Sequence, residues 1–137
     1  MNDKFIELAK RAVACRNWKW LEGMLTICDL RVIEGGTDYI IGHRQGDTRS
    51  GGGWYDGESV GLLPNIIDPA TIGCLLDLVR QAWYTAPANV NCHMSYSPEK
   101  GHYRYWTCSY CTGEKWEQTQ GETEAEALIL ALEASNA

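Results

Sequence analysis

Leu62 to Trp83, LLPNIIDPATIGCLLDLVRQAW, decides the fold. Asp68 stands before Pro69, and proline suits the first helical turn because the N–H it lacks would have no partner there. An aspartate at that point offers its side-chain oxygen to a free helical N–H. Beyond it Ile72, Leu75, Leu76, Val79 and Trp83 recur at helical spacing and predict one buried stripe, and Ala86–Pro87 lies past the end. The tail Gly121 to Ala134, GETEAEALILALEA, follows the same logic. There Thr123 and Glu126 have the spacing of a capping box, and Ala125, Leu128, Ile129 and Leu132 supply the apolar face. Near the start, Asp3 is the expected cap of a third helix. Its face is Phe5, Leu8, Ala9, Ala12 and Cys15, with Lys4, Glu7, Lys10 and Arg11 opposite.

Strands fill the space between these helices. Met24 to Glu34 and Tyr39 to Arg44 read as a hairpin about Gly35–Gly36. Val90 to Ser97 and His102 to Tyr110 alternate with period two about the turn 98–101, and a shorter strand, Lys115 to Gln120, follows. The order αββαβββα predicts an α+β fold, with an antiparallel or mixed sheet of about five strands packed with three helices. A single domain over residues 1–137 is expected. In the strand 102–110, His102, Arg104, Trp106, Cys108 and Tyr110 share one face, and Tyr103, Tyr105, Thr107 and Ser109 the other. Apolar content does not choose the core face between them.

The net charge of −6 disfavours general nucleic-acid binding, since no basic block is present to neutralise phosphates. Apolar content of 45% is that of a globular chain. The first residues mix charges among their apolar positions, unlike a secretory signal, and no apolar run is long enough to span a membrane. Six cysteines in such a context are expected to be reduced thiols.

Few residues carry obvious chemistry. Gly46 to Gly61, GDTRSGGGWYDGESVG, reads as a long loop, and long loops in compact domains tend to be functional or mobile. Its glycines around Gly52 can turn backbone N–H groups toward an anion. Arg44 and Arg49 are the candidate phosphate partners, and Trp54 or Tyr55 the candidate stacking surface. The segment lacks the Gly-Lys-Ser/Thr of a nucleotide-binding P-loop. Trp18 and Trp20 are candidate interface aromatics, because surplus tryptophans concentrate where proteins meet. Cys108-Ser-Tyr-Cys111 is a lone CxxC. Zinc would need two more ligands from Cys92, His93 and His102, and the hairpin register spreads these apart, so no metal and no other cofactor is expected. Carboxylates are scattered, and no nucleophile motif occurs, so the chain does not read as an enzyme.

The segments LAKRAVACRNWKW, LPNIIDPATIGCLLDLVRQAW and GETEAEALILALEA together resemble small bacteriophage and prophage proteins of the phage α–β–α sandwich type. The likeness touches most of the chain and is weakest from Gly35 to Gly61. Its shared residues are caps and core, which speak to fold rather than chemistry. The resemblance implies a non-catalytic phage accessory protein in the host cytoplasm that inhibits host anti-phage machinery through a protein partner. Two alternatives stand beside it. One is a sponge that sequesters a small anionic nucleotide signal on the glycine and arginine loop. The other is a virion or assembly component that self-associates.

Overall fold

The computed structural model describes residues 2–37, 39–44, 53–56, 62–83 and 88–136, with the backbone alone at 44 and 54–56. The expected α+β order is present. Helix α1 (Asp3–Val13) leads to β1 (Leu30–Gly35), β2 (Tyr39–Arg44) and β3 (Gly53–Asp56). Helix α2 (Pro69–Ala82) precedes β4 (Asn89–Ser97), β5 (Gly101–Cys111) and β6 (Trp116–Gly121), and α3 (Glu124–Ala134) closes the chain.

Two features depart from expectation. The strands form two antiparallel sheets, β1-β2-β3 and β4-β5-β6, rather than one. The third strand of the first sheet lies inside the expected loop 46–61, where Trp54 and Tyr55 pair with Ile41 and Ile40.

Helix starts follow the capping chemistry closely. Asp68 accepts the Thr71 N–H and Thr123 accepts the Glu126 N–H. The first helix begins one residue earlier than expected. Asn2 is its cap, accepting the Phe5 N–H, and Asp3 falls in the first turn, where a negative charge suits the helix dipole.

Helix α3 is the hub. It packs against β4, β5 and β6 on one side and against α1 and α2 on the other. It therefore buries Ala127 and Ala131 as well as the expected Ala125, Leu128, Ile129 and Leu132. A helix that is apolar nearly all round belongs between layers, and its alanines let neighbouring backbones approach. The sides are pinned by polar contacts. Arg11 binds Glu133 through two hydrogen bonds, and Thr119 Oγ1 donates to the Ala127 carbonyl at 2.7 Å.

The buried stripe of α2 is rotated from the expected one. Thr71, Leu75, Leu78 and Val79 are buried, whereas Ile72, Leu76 and Trp83 are half-buried. The reason is that α2 meets both α3 and the segment before β1. Thr71 turns inward, and its hydroxyl oxygen accepts the Leu25 N–H at 2.9 Å.

The expected strand 24–34 is broken. Thr26 takes the Cys28 and Leu30 N–H groups on its hydroxyl oxygen, and Asp29 adopts φ 65. The chain thus folds back, with Leu25 bridging Arg31, and β1 starts only at Leu30. This sheet joins the rest through Met24, Leu30, Val32 and Ile40, which belong to the same apolar cluster as the three helices.

Candidate functional site

The two sheets end differently, and the difference exposes a ribbon. Strand β6 pairs with β5 only from Trp106 to Cys111. Residues 101–105 of β5 pair with β4 alone, so beyond Trp106 the sheet is two strands wide.

Register assigns the faces. Val90 lies opposite Cys108, Cys92 opposite Trp106, Met94 opposite Arg104 and Tyr96 opposite His102. At one end this face is core. Cys108 is fully buried, and Trp83 stacks on Tyr110 with ring centroids 4.6 Å apart. Burial pushes the Cys108 thiol up to about 11, with the Arg80 charge opposing, and it also raises the Tyr110 hydroxyl. Both groups are neutral packing elements. Toward the turn the helices end and the same face opens. Met94 is 70% exposed and Tyr96 63%, beside exposed His102 and Arg104.

The opposite face is polar and aromatic. His93 stacks on Tyr105 with centroids 5.0 Å apart, and its Nε2 lies 2.8 Å from Thr107 Oγ1. Lys100 sits over the Tyr103 ring at 5.3 Å. Such cross-strand pairs stiffen a two-stranded ribbon that would be marginal alone.

Strand β4 forms the outer edge of this sheet, and no described strand pairs with its far side. An exposed edge directs alternate N–H and C=O groups outward, and natural proteins usually blunt it with charge, proline or a bulge. The edge strand β1 has a bulge between Val32 and Glu34. The edge strand β6 carries Glu117 in an ion pair with Lys115. Strand β4, NVNCHMSYS, has no acidic residue, lysine, arginine or proline along its length.

The expected site residues do not assemble on this surface. Trp18 and Trp20 are 3% and 2% exposed and meet edge to face at 5.3 Å, so their rings pack in the core rather than standing out as surface aromatics. Their burial follows from the chain between α1 and β1, which crosses the first hairpin. The Trp20 N–H donates to the Gly36 carbonyl at 2.8 Å. Arg44 ends β2 opposite Leu30, and Trp54 and Tyr55 sit in β3. Arg49 and Gly52 lie outside the described residues.

Cys108 and Cys111 are three residues apart in one strand and so face opposite sides of the sheet. Among the described residues no cluster of three or more histidine, cysteine or carboxylate side chains could hold a metal ion.

Met94, Tyr96, His102 and Arg104 were not among the expected site residues. The signal available was the uncharged period-two run of β4, which resembles a core strand until the lengths of β5 and β6 are known.

Compared with protein-family models, curated proteins and solved structures, the chain gives no match.

Proposed function

We propose that this protein is a non-catalytic binding module that captures an extended segment of a partner protein along the outer edge of β4. The observation that carries this reading is the uncharged, proline-free edge of Asn91–Ser97 with Met94 and Tyr96 exposed beside it. Strand addition draws affinity from main-chain hydrogen bonds and specificity from alternate side chains. Met94 and Tyr96 occupy such alternate positions. Methionine adapts its shape to a partner, and tyrosine brings a large contact area with a polar tip. Taken with the resemblance to phage accessory proteins, the partner is a host protein in the bacterial cytoplasm, and capture blocks it. No described helix is long and apolar enough to cross a membrane.

The test is capture from bacterial lysate by the native chain and by a Met94→Ala, Tyr96→Ala double variant. Both side chains are exposed, so the variant should fold as the native chain does. Buried interface anchors are worth more than about 1 kcal/mol each, so affinity for the captured protein should fall at least about tenfold. Undiminished capture of the same protein would exclude the β4 edge. Sedimentation of the purified chain supplies the second arm. A dimer dissociated by the same double variant would make the occupant of the edge a second copy.

A further inference from the structure

A second feature lies away from this sheet. The chain leaving α1, the tip of the β1–β2 hairpin and the end of α2 enclose a surface pocket of about 290 Å³. Arg16, Trp18, Lys19, Thr37 and Gln81 are among its lining residues.

Its charge runs against that of the molecule. The chain carries 18 acidic and 12 basic residues, yet among the described lining residues of this pocket the charged side chains, Arg16 and Lys19, are both cations. Lys4, Lys10, Arg11, Arg31 and Lys115 each sit in an ion pair. Arg16 and Lys19, like Arg80, Lys100 and Arg104, have no ion-pair partner among the described residues, but only Arg16 and Lys19 of these line this pocket. The indole N–H of Trp18 is also unmatched. It is buried without a hydrogen-bond acceptor among the described residues, which a folded chain rarely tolerates unless something else supplies one.

The wall bearing these groups is held in place before any ligand arrives. The Arg16 N–H donates to Asn136 Oδ1 at 2.9 Å, Asn17 Nδ2 donates to Ser135 Oγ at 2.9 Å, and the Trp20 N–H is held by Gly36. These bonds fix the main chain from which the Arg16 and Lys19 side chains extend, so a ligand need order only the two side chains.

We propose that this pocket binds the phosphate group of a small molecule. Arg16 supplies the planar fork that matches phosphate oxygens, Lys19 a second positive charge, and the Trp18 indole N–H a neutral donor. Two cations favour a dianion over a carboxylate. The volume lies at the low end for small-ligand sites, which suits a phosphate with a small attached group. This site is independent of the β4 edge, and its loss would leave partner capture unchanged.

The test is a ¹H–¹⁵N titration of the whole chain, with the Trp18 indole resonance assigned by its disappearance in Trp18→Phe. The probes are inorganic phosphate, adenosine monophosphate and acetate at matched ionic strength. Saturable movement of that resonance with phosphate is expected. Tighter binding of adenosine monophosphate would identify a nucleotide as the source, and equal binding a smaller phosphate ester. An Arg16→Gln, Lys19→Gln double variant alters exposed side chains and should weaken binding at least tenfold while keeping the native spectrum. The inference is overturned if phosphate produces no saturable movement across the millimolar range. It is also overturned if acetate binds as tightly, or if the double variant binds as well as the native chain. Should Trp18→Phe fail to fold, the indole resonances most perturbed in the double variant provide the assignment.

Discussion

A backbone position can forbid a side chain even where sequence shows only another glycine. At Gly35 an added Cβ would lie 2.6 Å from Trp20 Cβ and 2.8 Å from the Trp20 carbonyl oxygen. Gly35→Ala is therefore expected to destabilise the protein by about 1–3 kcal/mol, the usual cost of overpacking. Gly73 sits within α2 with nothing inside 4 Å of its would-be Cβ, so Gly73→Ala should stabilise by about 0.5–1 kcal/mol through helix propensity. Urea midpoints of the two variants should move in opposite directions. Equal shifts would refute the close approach of the Trp20 segment to the hairpin. Asp68 makes a different residue-scale argument, since it serves two roles at once. It caps α2, and it pairs with Arg31 at 2.9 Å. Burial raises its carboxyl, but hydrogen bonds from Arg31 and Thr71, together with the Arg31 charge, outweigh this and hold it below its ordinary value. A depressed folded value means stability that is present above the unfolded value near 4 and lost as pH falls through the folded one. Asparagine caps as well as aspartate, so Asp68→Asn isolates the charge. It should cost about 1–2 kcal/mol at pH 7, and its deficit against the native chain should close below about pH 4. A deficit unchanged down to pH 2 would assign the loss to the cap instead.

At the scale of elements, phase decides what a helix contributes. Leu78 is 1% exposed, whereas Leu76 is half-buried at the rim of a shallow depression it shares with Ile72 and Gly73. Leu78→Ala should cost about 2–5 kcal/mol, and Leu76→Ala clearly less, by chemical denaturation of each. The reverse ranking would place α2 in the orientation expected from its sequence. That expectation failed for a physical reason. Leu75, Leu76, Leu78 and Val79 are all apolar, so composition allows several stripes, and Thr71 turns inward, where its hydroxyl accepts the distant Leu25 N–H and donates to Asp68. Caps were legible because each rests on a side chain and an N–H three residues away, as at Asp68 and Thr123. Strand spans were legible in β4, β5 and β6, where alternation is clean. The break at Thr26 and the division into two sheets were not legible, because both depend on contacts between distant segments. The open ribbon was hidden for the same reason. It exists because β6 stops at Gly121, where a Cβ would meet the Ala127 nitrogen at 2.7 Å and the sheet must give way to α3.

For the whole molecule the question is whether two sheets make one folding unit. Among the described residues the first sheet makes no strand pairing with the second. Its attachment rests on the shared apolar cluster, the Arg31–Asp68 pair, the Leu25–Thr71 hydrogen bond and the bridge between Thr26 and Pro64. The cluster is the largest of these, since it runs from Trp18 and Val32 through Leu75 to Leu128 and Cys108 without a gap. Removing the first sheet would take Leu30, Val32 and Ile40 out of this shared cluster, and apolar burial is the dominant stabilising contribution in a domain of this size. The chain is therefore expected to unfold in one step. Trp18 and Trp20 are buried near the first hairpin, and Cys108 is buried in the second sheet, so each reports on a different half. In urea, loss of the native indole N–H resonances of Trp18 and Trp20 and the alkylation of Cys108 should show the same midpoint and the same slope, about 1–3 kcal/mol per molar. Replacing Arg31 by Met should move both midpoints together, because the link it removes stabilises a common unit. If the Trp18 and Trp20 indole resonances are lost well before Cys108 becomes reactive, the first sheet detaches on its own. The phosphate pocket, which spans the Trp18 segment and α2, would then form only in the fully folded state, while the β4 edge would survive in the intermediate.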